Sequence, residues 1–241
     1  MDFSVVIPAF NERNRLPSFL SRLAERVGSS GAAGEIIVVD DGGREDDHRA
    51  YAEAARSITR VPVRVLRLPV NQGKGAAIRA GFREAQGAWI GFADADGSTS
   101  AEEVVRLAKA ALASELDGVF GSRILMLGYQ VTRSLRRHLL GRAFATCADW
   151  LLRVPVYDSQ CGCKFFRRSS VAPLLDRCEE RRWLLDLELI AIGHSRHLKF
   201  LEVPISWHDV AGSKVRVLRD GGRTLVGLWR LKRRLKRGGM L

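Results

Sequence analysis

A chain of 241 residues, 46% of them hydrophobic, suits one large domain or a domain with an appendage, and can bury a sizeable core. Its 39 lysines and arginines against 27 aspartates and glutamates give a net charge of +12, which calls for an anionic partner such as nucleic acid, a membrane surface or a phosphorylated substrate. Four cysteines without zinc or disulfide spacing, no signal-peptide pattern and no run of about 18 apolar residues argue against a secreted disulfide scaffold or a spanning helix, and for reduced thiols in the cytoplasm.

The segment FSVVIPAF (3–10) reads as a strand, and NERNRLPSFLSRLAERV after it as a helix with Leu16, Phe19, Leu20, Leu23 and Val27 on one stripe. GEIIVVDDG (34–42) is a second strand ending in acids, followed by a polar helix over about residues 46–58. VPVRVLRL (61–68) is a third strand, and GKGAAIRAGFREAQG a third helix closed by Gly87. AWIGFADADG (88–97) is a fourth strand, leading to a helix near 101–113 for which Ser98 is the expected cap; LDGVFGSR (116–123) is a fifth strand. A helix is expected over 136–152, with Leu140, Phe144, Cys147 and Leu151 on one stripe. Apolar strands separated by helices imply an α/β fold, a Rossmann-like, mostly parallel sheet covered by helices on both faces.

Ligands of such sheets bind beyond the carboxyl ends of the strands. There this chain places Asn11 and Glu12, then Asp40 and Asp41, then Asn71, Gly73, Lys74 and Gly75, then Asp94 and Asp96, then Ser122 and Arg123. Any one of these fits a helix cap, but five sets on one edge point to a ligand site. The glycines around Lys74 match neither the dinucleotide fingerprint nor a Walker A loop. Asp94 and Asp96, two apart in extended chain, face the same side and suit one hard cation, Mg2+ or Mn2+, which offsets their repulsion and draws a diphosphate.

The segments VVIPAFNE, IIVVDDG, NQGKGAAIRAGF, FADADGS and GSR resemble, in order and spacing, glycosyltransferase family 2, and DSQCGCKFFRR, WLLDLELI and LEVPISWHDVAGSK resemble its branch that makes polyprenyl-phosphate sugars, the dolichyl-phosphate glucosyltransferase and mannose synthase group. The likeness covers about residues 3–215 and implies the GT-A fold, a nucleotide-sugar donor and a polyprenyl-phosphate acceptor. It implies that Pro8, Ala9, Asn11, Glu12, Asp40, Asp41, Gly73 and Lys74 bind the nucleotide sugar, and that Asp94 and Asp96 hold the metal. It further implies that Arg123, Arg133, Arg137, Gln160, Lys164 and Lys214 face the acceptor phosphate, with Asp94, Asp96 and Arg123 at the chemistry. UDP-glucose is the expected donor and GDP-mannose the next. Two departures stand out: Cys163 replaces an aromatic, and Gly42-Gly43 follows the acids where a capping serine is common.

A phosphate acceptor is already a nucleophile at neutral pH, so the expected reaction is a single inverting displacement without a general base. A sugar-hydroxyl acceptor would instead need a carboxylate base, Asp158 first and Asp186 or Glu188 behind it. A non-catalytic nucleic-acid-binding module is the third alternative, and nucleic acid is not the expected partner. The domain is expected over 1–215. Residues 216–241 form an appended basic helix, with Leu225, Leu228, Trp229, Leu231 and Leu235 among six basic residues, suited to an anionic membrane surface. A peripheral protein on the cytoplasmic face of a membrane is the resulting expectation. His194 and His197 read as surface residues and the cysteines as packing.

Overall fold

The computed structural model describes residues 1–240 apart from 125, 133–134, 155, 209 and 211–216; the side chains of 135–143 and 217–225 are outside the description as well. In chain order the elements are β1 (Phe3–Ala9), α1 (Leu16–Gly28), β2 (Gly34–Asp40), α2 (Glu45–Arg56), β3 (Val63–Arg67), α3 (Lys74–Glu84), β4 (Trp89–Ala93), α4 (Ala101–Leu112) and β5 (Gly118–Ser122). Then come β6 (Val131–Thr132), α5 (Leu135–Leu152), β7 (Cys163–Arg167), α6 (Arg168–Leu175), α7 (Leu185–Ser195), β8 (Phe200–Pro204), β9 (Trp207–His208) and α8 (Val217–Arg237).

The seven-stranded sheet runs β3-β2-β1-β4-β7-β5-β8, with β6 and β9 pairing separately. Successive strand residues point to opposite faces, and the apolar runs feed both. Phe3, Val5 and Ile7 join Ile36 and Val38 under α1, α2 and α4, where Leu16, Leu20, Tyr51 and Val104 are buried. Val6, Ile37, Val39, Ile90 and Phe92 face the other way, into a core shared with α3, α5, α6, α7 and α8. Both faces are thus covered, as the apolar runs predict.

One strand departs from the parallel pattern. β7 runs antiparallel between β4 and β5, pairing Ala93 with Cys163 and Phe120 with Lys164. It therefore begins at the edge where its neighbours end, and delivers the preceding residues 158–162 to the ligand rim. Phe166 anchors it: its ring lies 5.0 Å from Phe120 and 6.2 Å from Phe82. Burying one such side chain contributes about 1.5–3 kcal/mol.

Two expectations are corrected. The cap of α4 is Ser100, whose Oγ accepts from Glu103 N at 3.3 Å; Ser98 is buried and donates its own amide to Asp96. The leucine stripe of α8 turns inward: Leu228, Leu231 and Leu235 are buried in the core beside α7 rather than presented to a bilayer. Among the described residues no helix is long and apolar enough to cross a membrane.

Candidate active site

Asp94 and Asp96 follow β4, and both keep exposed surface, 36% and 26% of their side chains. Asp94 is gripped from two sides. Lys74 Nζ, from the first turn of α3, lies 2.5 Å from its Oδ1. Its amide donates to Gly162 O at 3.1 Å, and its Oδ2 packs so closely on Gly162 that a Cβ there would sit 1.9 Å away. Asp96 accepts from Ser98 N at 3.0 Å, and its Oδ2 lies 3.9 Å from Arg15 Nη1. Burial opposes the charge on Lys74, but Asp94, with Asp186 and Asp96 farther off, outweighs it and holds the ammonium above its ordinary pKa.

Lys164, fully buried on β7, donates to Asp186 Oδ2 at 2.9 Å and to Cys161 O at 2.5 Å. Its Nζ and that of Lys74 both lie over the Phe92 ring, at 5.6 and 5.3 Å. The lysines of two ion pairs, Lys74–Asp94 and Lys164–Asp186, thus share one aromatic ring. Lys164, expected to face the acceptor phosphate, is a fully buried member of this cluster on β7.

Across the rim, Arg123 grips Asp158 with Nε at 2.7 Å and Nη2 at 2.8 Å, and its amide donates to the same carboxylate at 2.9 Å. Burial raises the Asp158 pKa, but the guanidinium prevails and holds it below the usual aspartate range. Trp207 on β9 flanks Arg123, its ring 5.4 Å from Cζ. The amide of His208 donates to Ser98 O at 3.0 Å, which ties β9 to the acid turn.

The remaining acids act on backbone. Asp41 accepts from Gln72 N at 2.7 Å and Gly73 N at 2.8 Å, fixing the turn that presents Lys74; burial, stronger than these bonds, pushes its pKa up. Asp40 is fully buried and accepts from Gly43 N at 2.8 Å, while His48 Nδ1 at 3.1 Å and Arg67 Nε at 3.5 Å approach its Oδ2 out of hydrogen-bond alignment. Gly43 has no room for the serine common there: a Cβ would meet Asp40 Oδ1 at 2.8 Å, and α2 starts without a side-chain cap. Asn11, in the left-handed region at φ 55, accepts from Arg44 N at 3.1 Å. Glu12 pairs bidentately with Arg15 at 2.7 Å on each oxygen. Pro8 and Ala9 close β1, and Ala9 O accepts from Asp41 N at 2.8 Å. Arg133 and Lys214 lie outside the described residues; Arg137 lies in α5 with its side chain outside them.

Among the described residues, the buried side-chain polar atoms without a hydrogen-bond partner are Arg15 Nη1, Asp40 Oδ2, His48 Nδ1, Arg79 Nε, Ser122 Oγ, Ser159 Oγ and Gln160 Nε2. All but His48 and Arg79 lie at, or within six residues of, the carboxyl end of a strand or in the 158–162 segment. Unsatisfied buried groups are scarce in folded proteins, and this grouping marks where a polar ligand would complete them. Two residues outside the expected set join the site by contact: Arg15, beside Asp96, and Asp186, paired with Lys164. The thiols do not join it. Burial pushes Cys161 up to about 11 and Cys163 well above its ordinary value, so neither is a nucleophile at neutral pH.

Among the described residues no three His, Cys, Asp or Glu side chains group to hold a metal. The donor set still fits a hard cation. Two partly exposed carboxylates face one rim, and the Lys74 ammonium already stands as the positive charge against Asp94.

Known proteins resemble this chain in sequence and in fold. The model of a family described as glycosyl transferase family 2 matches residues 4–175. The dolichyl-phosphate beta-glucosyltransferase of Drosophila melanogaster is 34% identical over 254 residues, spanning 96% of this chain and 78% of the relative. The Homo sapiens protein of the same name is 32% identical, spanning 97% and 79%. Glucosyl-3-phosphoglycerate synthase from Mycobacterium tuberculosis, crystallised with Mn2+, UDP-glucose and phosphoglyceric acid, shares the fold with a TM-score of 0.73 at 19% identity, over 96% of this chain and 79% of that one. The strand order, the acid pair closing β4 and the family match lead to one assignment: this chain belongs to glycosyltransferase family 2 and is a glycosyltransferase with the GT-A fold.

Proposed function

We propose that the protein transfers a hexose, with inversion, from a nucleotide sugar to a polyprenyl phosphate at a membrane surface. UDP-glucose is the first donor and GDP-mannose the second, and the names of the similar dolichyl-phosphate glucosyltransferases support the pairing. The observation that carries the reading is the rim itself: two accessible carboxylates beside a charged lysine, ringed by buried polar atoms that lack partners.

Asp94 and Asp96 would hold Mg2+ or Mn2+, which when bound neutralises charge on the leaving diphosphate. Lys74 stays protonated throughout the working pH range and adds a fixed positive charge on the same side. Asp41 and Asp40 shape the two turns against which the nucleotide would lie. Gln160 Nε2 and the Ser122 and Ser159 hydroxyls offer hydrogen bonds on the acceptor side. Arg123 supplies a guanidinium for the acceptor phosphate, which must compete with Asp158 for its fork.

The hydroxyl-acceptor alternative fits less well. Asp158 is locked by Arg123 with a lowered pKa, Asp186 is paired with Lys164, and Glu188 is buried away from the rim. Asp158 and Asp186 are thus spent on ion pairs, and Glu188, whose pKa burial pushes up, is spent on the Glu179 and Glu180 amides, so none is free to take a proton from an acceptor hydroxyl. The surface reading rests on α5 and α8. Trp150 is 78% exposed and Trp229 52% exposed, with Lys232 and Arg233 over their rings at 5.5 and 4.5 Å. Exposed indoles among basic side chains suit an anionic interface, and these rather than the leucines would touch it.

The test is melting temperature with UDP, GDP, UDP-glucose and GDP-mannose, each with and without Mn2+, followed by transfer to dolichyl phosphate in detergent. A donor-selective, Mn2+-enhanced rise with product formation is expected. Absence of any nucleotide-dependent shift would remove the reading.

A further inference from the structure

The segment between α6 and α7, residues 176–184, is pinned along its length. Glu188, itself fully buried, accepts from Glu179 N at 3.1 Å and Glu180 N at 2.9 Å, and Arg234 of α8 closes on the same carboxylate. Farther along, Arg181 O accepts from Ala76 N at 2.9 Å, in the first turn of α3. The backbone lies so tightly on that turn that a Cβ on Gly73 would be 2.5 Å from Arg181 O, and one on Gly75 would be 2.7 Å from Arg182 O. The start of α3 is thus covered by protein, and its Ala76 amide is engaged.

Held this firmly, the segment ends in an exposed aromatic. Trp183 keeps 45% of its surface, and its ring lies 5.5 Å from Lys74 Nζ, which in turn touches Asp94. An indole left half bare on a fixed backbone, with the Lys74 ammonium over one side of its ring, keeps apolar surface open beside the charged centre of a polar rim. A pyranose presents just such a partner, since one face of the ring carries several C–H groups while its hydroxyls point outward. Binding sites commonly combine an aromatic wall with a few placed polar groups.

We propose that Trp183 is the platform for the hexose of the donor: its indole takes the C–H face of the sugar while Lys74 and the acid pair hold the diphosphate. This rests on the nucleotide-sugar reading above and adds to it a residue chosen by the sugar rather than by the nucleotide. It also explains why Lys74 faces two rings: Phe92 closes its inner side within the core, and Trp183 borders its outer side.

The experiment is calorimetric titration of wild type, Trp183→Ala and Trp183→Phe with UDP and with UDP-glucose in Mn2+, with far-UV circular dichroism to compare folding. Trp183→Ala is expected to bind UDP like wild type and UDP-glucose about tenfold more weakly, with a matching loss in kcat/KM. Trp183→Phe, which keeps an aromatic face, should recover most of the difference. The proposal is overturned if Trp183→Ala binds both ligands normally, or loses both equally, since the ring would then serve only the loop or Lys74. Wild-type protein that binds neither ligand, nor GDP-mannose in the same titration, would instead remove the nucleotide-sugar reading and the platform with it.

Discussion

Gly162 gives the sharpest test of how the acid pair is held. Replacing it with alanine puts a methyl 1.9 Å from Asp94 Oδ2, whereas an ordinary contact begins at 3.4 Å, so the carboxylate must retreat by about 1.5 Å. The strand cannot give way instead, because Asp94 N is bonded to Gly162 O and Ala93 is paired with Cys163. Overpacking of this kind costs about 1–3 kcal/mol of stability, which urea unfolding will read. The larger effect is on chemistry: a shift of about 1 Å at a reacting centre lowers rate on the order of 100-fold. The expected outcome is a Gly162→Ala protein that is folded, slightly less stable and as poor as Asp94→Asn in Mn2+-dependent turnover of UDP-glucose. Gly28→Ala, whose methyl would meet its neighbours at 3.4 Å or more, is the tolerated control. Wild-type turnover and metal dependence in Gly162→Ala would refute the claim that this contact places Asp94.

Other outcomes follow from the same contacts. Because the Asp158 pKa is lower in the native protein than its ordinary 3.8, its pairing with Arg123 stabilises fully above that value and is lost as pH falls through the lowered one. Asp158→Asn should therefore cost about 3–5 kcal/mol in urea at neutral pH, with the gap to wild type constant down to about pH 5 and narrowing in stronger acid. A gap that widens on acidification would contradict the pairing. Leu231→Ala should lower stability by about 2–5 kcal/mol, as for a core leucine, and leave vesicle binding intact; the reverse pattern would return the stripe to the bilayer. The double change Trp150→Ser and Trp229→Ser should weaken cosedimentation with anionic vesicles about tenfold without altering the melting temperature. Unchanged binding would exclude that face as the contact.

Most of the parallel half of the sheet is legible because β1, β2 and β4 are apolar runs followed by acids. Other features are not encoded in this way. β7 carries Lys164 at its centre, and a lysine in a short run reads as loop until its partner Asp186 is known. Serines at both 98 and 100 offer a cap for α4, and only the backbone bond of Ser98 to Asp96 decides between them. For α8, leucines spaced to meet a membrane are spaced equally well to meet a protein, so periodicity alone could not choose. Trp183 opens the resembling segment WLLDLELI, but its setting is made by main-chain carbonyls on Gly73 and Gly75, which no side-chain pattern encodes.

The placement of β7 also bears on how the molecule matures. During synthesis β4 and β5 emerge with a gap between them, and each shows an open edge until β7, which begins some forty residues after β5 ends, slots in from the opposite direction. Unpaired edges of this sort invite association with other chains, which makes the interval before insertion the hazardous stage of folding. The same event carries Gly162 and Lys164 into place, so competence for catalysis arrives together with closure of the sheet and a half-made molecule has neither.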